Sequence, residues 1–178
     1  MPKSTPIERL LLERGESVRR AWLDRALAVY AEEYKKFLAG TGDAFANPVG
    51  AALREGIAAL LEAIAAGADP ERCRAALDPI VRIRAVQELP PSKALAFVPL
   101  LKEVARETVR EDDRDGETRR AMAAFDAAVD QVTLLAFDVY CECRERIHKT
   151  RANELRRNTA LLSRRPRPRS EPEGGNRP

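Results

Sequence analysis

The sequence predicts an all-α domain of five or six helices ending in one long helix, and three observations carry that prediction. Ala, Leu, Arg and Glu dominate a chain of 178 residues that is 44% hydrophobic, 33% charged and only 5% aromatic, a mixture that favours helix over sheet. Apolar residues recur at helical spacing along the chain, without an alternating strand pattern or an internal repeat. Proline, glycine and short polar caps separate the periodic segments. At this length a single core suffices to hold a domain together.

Thr5-Pro6 opens a first helix that runs through Leu10–Leu12 and past Gly15 to about Tyr30 or Tyr34, with Val18, Trp22, Ala26 and Val29 on one stripe. The run Ala39-Gly-Thr-Gly-Asp43 ends it. Asn47-Pro48 then supplies an N-cap followed by proline at the first helical position. Behind it Val49, Leu53, Ile57, Leu60, Leu61 and Ile64 form an apolar stripe that stops at Gly67. Asp69-Pro70 repeats the device for the next helix, which ends at Glu88-Leu-Pro-Pro91 because proline disfavours helix in the residue before it. Ser92 caps a helix from Lys93 to about Arg110, and Pro99 within it deprives the Leu95 carbonyl of its donor and kinks the axis. After the acidic run Glu111–Gly116, a last helix extends from Glu117 to about Ser163.

Charge is placed unevenly. Residues 1–150 carry 23 Lys and Arg against 25 Asp and Glu, whereas residues 151–178 carry 8 Arg against 3 Glu. The segment Arg164–Pro178 is rich in arginine and proline and has no apolar side chain, so it reads as a disordered tail. No aromatic residue interleaves with its arginines to stack on bases, so a nucleic-acid adaptor acting through Arg156–Arg169 is an alternative rather than the main reading. No apolar run approaches the roughly 18 residues of a membrane span, and the N-terminus lacks a secretory h-region. Three cysteines do not make a disulfide framework. The expected home is the cytoplasm.

Two helices carry information beyond the core. On a wheel of Leu77–Glu88, Arg84 projects from the apolar face formed by Leu77, Ile80 and Val81, and Gln87 lies beside Ile80 and Ile83. Arg82 points the other way, four residues after Asp78, where a surface ion pair suffices. A guanidinium on an apolar face must be paired or hydrogen-bonded. One reading makes Arg84 and Gln87 the polar hooks of a ligand pocket walled by Trp22, Phe97 and Tyr140. The other has Arg84 hold helix-end carbonyls or an internal carboxylate. In the last helix Met122, Phe125, Val129, Val132, Ala136, Tyr140, Cys143 and Ile147 form the core stripe. Beyond Ile147 the same direction is taken by Arg151, Glu154 and Asn158, so the helix leaves the core near Thr150. A narrower row of Leu134, Cys141, His148 and Leu155, flanked by Phe137, repeats every seven residues. Such a row is the edge of the core or the seam of a homodimer.

Catalytic and metal chemistry find little support. Cys141 and Cys143 lie about 200° apart on a helix and cannot chelate together, and His148 is the single histidine, which excludes the usual zinc sites. It leaves one alternative, a haem or gas sensor using His148 as iron ligand. There is no G-x-S-x-G and no phosphate-binding glycine loop. The carboxylates, Asp126, Asp130 and Asp138 included, fall on solvated helix faces. No acid, base or nucleophile can be assigned to a cleft, so the chain does not read as an enzyme, and no cofactor is expected.

Several strings taken together resemble one family. They are Trp22, Phe45-Ala-Asn-Pro-Val-Gly50, Ile80-Val-Arg-Ile-Arg-Ala-Val-Gln87, Pro91-Ser-Lys-Ala94 with Phe97-Val98 and Leu101-Lys102, Leu135-Ala-Phe-Asp-Val-Tyr140 and Arg151-Ala-Asn-Glu154. Their order and spacing, over roughly residues 7 to 163, resemble the RsbRD-type N-terminal domain, an RsbT co-antagonist domain. The resemblance implies a globin-like helical fold without haem, dimerisation, and a long exit helix that in related stressosome sensors leads to a STAS domain. No STAS domain follows within these residues, so the chain reads as a stand-alone sensory or regulatory module with a protein partner in a signalling pathway. The kinase contacts and phosphorylated threonines of the STAS part have no counterpart here.

Overall fold

The computed structural model describes residues 6–28, 30, 47–109 and 116–163. Among these residues the regular structure is entirely helical, with no strand. The helices are α1 (Pro6–Glu13), α2 (Gly15–Leu27), α3 (Pro48–Ala65), α4 (Pro70–Val86), α5 (Pro91–Leu95), α6 (Phe97–Thr108) and α7 (Gly116–Ser163). The chain divides into two compact units, Met1–Arg144 and Glu145–Pro178. None of the described helices is long and apolar enough to cross a membrane. The glycine-containing break at 39–43, the acidic run 111–115 and the tail 164–178 lie outside the described residues.

Both predicted proline caps form. Asn47, itself buried, accepts from the Gly50 amide at 2.9 Å, and Asp69 accepts from the Arg72 amide at 3.0 Å, with Pro48 and Pro70 at the first helical positions. These bonds satisfy amides that no helix can satisfy internally. At the far end of α3, Gly67 takes φ +106°. Its amide reaches the Ile64 carbonyl at 3.1 Å while the Ala68 amide reaches Ala63 at 2.9 Å, the paired bonds of a Schellman stop.

Four boundaries differ from the sequence expectation. The first helix is interrupted at Arg14, whose guanidinium donates to the Thr108 carbonyl at 3.3 Å; Gly15, a poor helix former, follows it. The second of its pieces ends at Leu27, and the expected continuation at 29 and 31–34 lies outside the described residues. Pro99 does more than kink its helix: the segment splits at Ala96 into α5 and α6, because without an amide hydrogen Pro99 cannot bond back to Leu95. Finally, Ser92 is not the cap. Pro90 occupies that position and Pro91 begins the helix, using the preset φ of proline.

Within the first unit, the most intimate helix pair is α3 with α4. Gly56 makes the approach possible, since a Cβ there would stand 2.6 Å from Ile80 Cγ1, 2.7 Å from Ile80 Cδ1 and 3.1 Å from the Ala76 carbonyl oxygen. The part of α7 in this unit buries Ala121, Phe125, Val129, Val132, Ala136, Val139, Tyr140 and Cys143, the stripe read from the sequence with Ala121 and Val139 added and with Met122 only half-buried. Exposed ion pairs tie the flanks of α7 to its neighbours: Arg74 with Glu142, Lys102 with Asp130 and Arg106 with Asp126. Pairs of this kind contribute at most about 1 kcal/mol each, so burial holds the helix. Asp126 departs from the solvated-face expectation, because its Oδ1 is buried without a partner. In the second unit residues 148–160 of α7 are exposed.

Candidate functional site

Arg84 lies in the last turn of α4 and is 1% exposed. Its Nη2 donates to the Ala26 carbonyl at 2.8 Å and its Nη1 to the Ala94 carbonyl at 3.1 Å. Ala26 and Ala94 belong to the final turns of α2 and α5. The guanidinium therefore meets the negative ends of two helix dipoles. It also stands 4.9 Å from the Phe97 ring centroid and 5.8 Å from that of Tyr30, within cation–π range. No ion pair to Arg84 exists among the described residues, and its Nε is buried without an acceptor. Burial pushes the Arg84 pKa down, opposed by the charge and hydrogen bond of Tyr30. Arginine nonetheless remains a cation.

Of the other predicted pocket residues, Trp22 and Phe97 join Arg84. Trp22 is wholly buried, its Nε1 donates to the Phe97 carbonyl at 2.6 Å, and the two rings stack with centroids 6.5 Å apart. Tyr140 is tied elsewhere, donating to the Leu89 carbonyl at 2.7 Å. Gln87 is exposed rather than inward, because α4 ends at Val86 and Gln87 is its C-cap; a wheel drawn past the helix end no longer gives direction. Its Oε1 accepts from the Tyr30 hydroxyl at 2.8 Å, which links it to Arg84 through Tyr30. Arg82 pairs with Asp78 at 2.7 Å on the surface, as the spacing predicts.

Two participants escaped the sequence reading. Tyr30 follows the end of α2, where no periodic pattern marks it. Arg144 donates to the Ala85 carbonyl at 3.1 Å and so holds the last turn of α4, while Tyr140 holds Leu89 in the segment just after it. The position of Arg144 four residues after Tyr140, on the same helix flank, was the available signal. Arg84 and Arg144 share one pattern: a long side chain from a distant segment satisfies carbonyls in the last turn of a helix. The groups around Arg84 are a cation whose Nε lacks an acceptor, two aromatic faces and the Gln87 amide.

The predicted seam residues are exposed. Leu134 and Phe137 are 62% and 48% exposed and Cys141 is open in the first unit, while His148 and Leu155 are open in the second. Cys73 and Cys143 are buried, and burial followed by the Asp69 charge pushes the Cys73 thiol up. Among the described residues, no three His, Cys, Asp or Glu side chains group as a metal site. Open surface grooves of about 350, 520 and 630 Å³ have walls that exclude Arg84; the second is edged by Arg19, Arg20 and Arg54.

No curated protein matches the chain. No solved structure matches it either. The family described as the RsbT co-antagonist protein RsbRD N-terminal domain matches residues 16–155, a span that takes in α2, the Arg84 cluster and most of α7. The chain belongs to the RsbRD N-terminal domain family.

Proposed function

We propose that this chain is a non-enzymatic sensory module of the cytoplasm that works as a homodimer, pairs through the outward face of α7, and takes its input at the Arg84 centre. The family is one of regulatory domains in stress signalling. The observation that carries the finer reading is the two-sided burial of α7 within the first unit. One side buries Phe125, Val129, Val132, Ala136 and Cys143, while the opposite side leaves Leu134, Phe137 and Cys141 in solvent. An apolar row at seven-residue spacing is self-complementary, so a second copy offers each residue its like across a two-fold axis. His148 and Leu155 continue the spacing along the sequence. The resemblance to dimeric sensor domains supports the same occupant. At the input, Arg84, Trp22 and Phe97 form the fixed part of the ligand site and Gln87 its rim, with Tyr140 holding the segment just after α4.

Native mass spectrometry of the protein purified from its own host tests this reading. A dimer carrying a small molecule, lost on Arg84→Lys, is the expected result. A monomer removes the α7 seam, and a dimer with no added mass under any growth condition removes Arg84 as the input.

A further inference from the structure

We propose that the exposed end of α7, from Arg146 to Arg157, is a docking surface for duplex DNA, gripped through its phosphates without regard to base sequence. The proposal stands apart from the Arg84 reading and from the pairing of copies. Within the second unit Arg146 and residues 148–160 are exposed, so this stretch of helix turns its side chains to solvent. At 100° per residue Arg146, Lys149, Asn153, Arg156 and Arg157 share one arc about 100° wide and about 17 Å long. No acidic residue falls within that arc. Glu145 stands at its edge and pairs with Lys149 at 2.7 Å, with both side chains more than half exposed; so open a pair contributes little. Arg146, Arg156 and Arg157 have no ion pair among the described residues. Beyond Glu154 the sequence brings no further acid until Glu171.

The chemistry of the arc selects its occupant. A groove in a protein takes a helix by an apolar row at i, i+3, i+4 and i+7, and a membrane surface takes one by a broad apolar face. Among residues 146–160 Leu155 is the single exposed large apolar side chain, so neither finds a hold. Scattered carboxylates on a protein surface gain little from exposed cations. A duplex differs, because its dense phosphates hold condensed counterions that several cations on one face release together. Arginine suits it further, since the guanidinium matches a phosphate in bidentate fashion, and Asn153, in the middle of the arc, adds a neutral donor for the backbone. An α-helix, about 10–12 Å across, enters a DNA major groove about 12 Å wide, whereas that of an RNA duplex is too deep and narrow. Single strands fit less well, as no Phe, Tyr or Trp stands among residues 146–160 to stack on bases. His148 and Leu155 lie about 140° away from the arc, so a second copy seated on that row leaves the cations free.

The test is fluorescence anisotropy of a short labelled DNA duplex of mixed sequence, titrated with the whole chain at several salt concentrations. Binding should saturate and weaken as salt rises, the logarithm of the association constant falling against that of salt with a slope no shallower than about −3, as four phosphate contacts require. Arg146→Gln/Arg156→Gln/Arg157→Gln removes three of those contacts. It should flatten the slope by about 2.7 and weaken binding in low salt about tenfold or more, with helical ellipticity unchanged. Lysine at the same three positions should restore most of both, because the charge and not the fold carries the contact. The glutamine variant should lose the same ground when Arg164, Arg165, Arg167 and Arg169 are also glutamine. Absence of saturable binding in low salt, a triple glutamine variant that binds as the wild type does, or a loss confined to those four later arginines overturns the proposal. So does displacement of the duplex by polyglutamate, by vesicles containing phosphatidylserine or by single-stranded DNA as readily as by unlabelled duplex at equal charge, since each would give the arc to another class of partner.

Discussion

Gly56→Ala offers the sharpest test of the packing that positions Arg84, because the added atom has a known collision and a known remedy. The new Cβ would lie 2.6 and 2.7 Å from Ile80 side-chain carbons and 3.1 Å from the Ala76 carbonyl oxygen. Carbon atoms in good contact stand about 3.5–4.0 Å apart, so the deficit is close to 1 Å. Ile80 is fully buried and cannot swing into solvent, which leaves separation of α3 and α4 as the response. Overpacking of this kind costs about 1–3 kcal/mol, and a backbone oxygen in the contact argues for the upper part of that range. Against it stands the helix propensity of alanine over glycine, about 1 kcal/mol. The net expectation is a loss of about 1–2 kcal/mol, or about 2–8 °C in Tm for a domain of this size. In an Ile80→Ala background the colliding carbons are gone. There only the Ala76 carbonyl contact remains, so Gly56→Ala should cost clearly less than in the wild type and come out near neutral, the helix propensity of alanine offsetting that contact. Urea unfolding of the four proteins, followed by ellipticity and by Trp22 emission, gives the cycle. A Gly56→Ala protein as stable as wild type, or one equally destabilised in both backgrounds, refutes the account of the α3–α4 contact. Arg84 sits one turn beyond Ile80, so the single variant should also shift Trp22 emission in the native state.

The remaining predictions concern caps, thiols and the outer face of α7. Asn47→Ala removes a buried N-cap and should cost about 1–2 kcal/mol in urea unfolding, whereas Arg25→Ala, which loses the exposed pair with Glu107, should cost less than about 1 kcal/mol, with little further effect in high salt. Tyr140→Phe removes the bond to the Leu89 carbonyl and should lower stability by about 1 kcal/mol, visible first as faster amide exchange in the segment between α4 and α5. In dilute native protein a disulfide reagent should titrate Cys141 rapidly and leave Cys73 and Cys143 intact until urea is added, since only Cys141 is exposed. Raising the protein concentration should protect Cys141 if the α7 face pairs, and Leu134→Glu should abolish that protection.

Much of this architecture is legible locally. Asn47-Pro48 and Asp69-Pro70 announce helix starts by chemistry contained within four residues, and the α7 core stripe follows from period alone. The inward position of Arg84 is legible too, because Leu77, Ile80 and Val81 define its face. What the sequence does not disclose is what Arg84 meets there. Its partners Ala26 and Ala94 are carbonyls, which every residue has, and Ala26 lies 58 residues away. The Trp22–Phe97 bond spans 75 residues and ends on a carbonyl as well. Gln87 misleads for a different reason: its direction depends on whether α4 continues past Val86, and helix ends are the least determined feature of a pattern. The breaks at Arg14 and Ala96 depend likewise on tertiary contacts and on a missing proline donor whose local effect is a split rather than a bend.

On the function proposed above, the apolar face of α7 turned away from the core joins two copies of this module. Sedimentation equilibrium on the wild-type chain and on Leu134→Glu/Phe137→Glu tests it directly. The expected result is a wild-type mass twice the 19.8 kDa of one chain and a folded monomer for the double variant, with unchanged helical ellipticity. A wild-type chain that stays monomeric at the highest concentrations, or a double variant that remains dimeric, would contradict it.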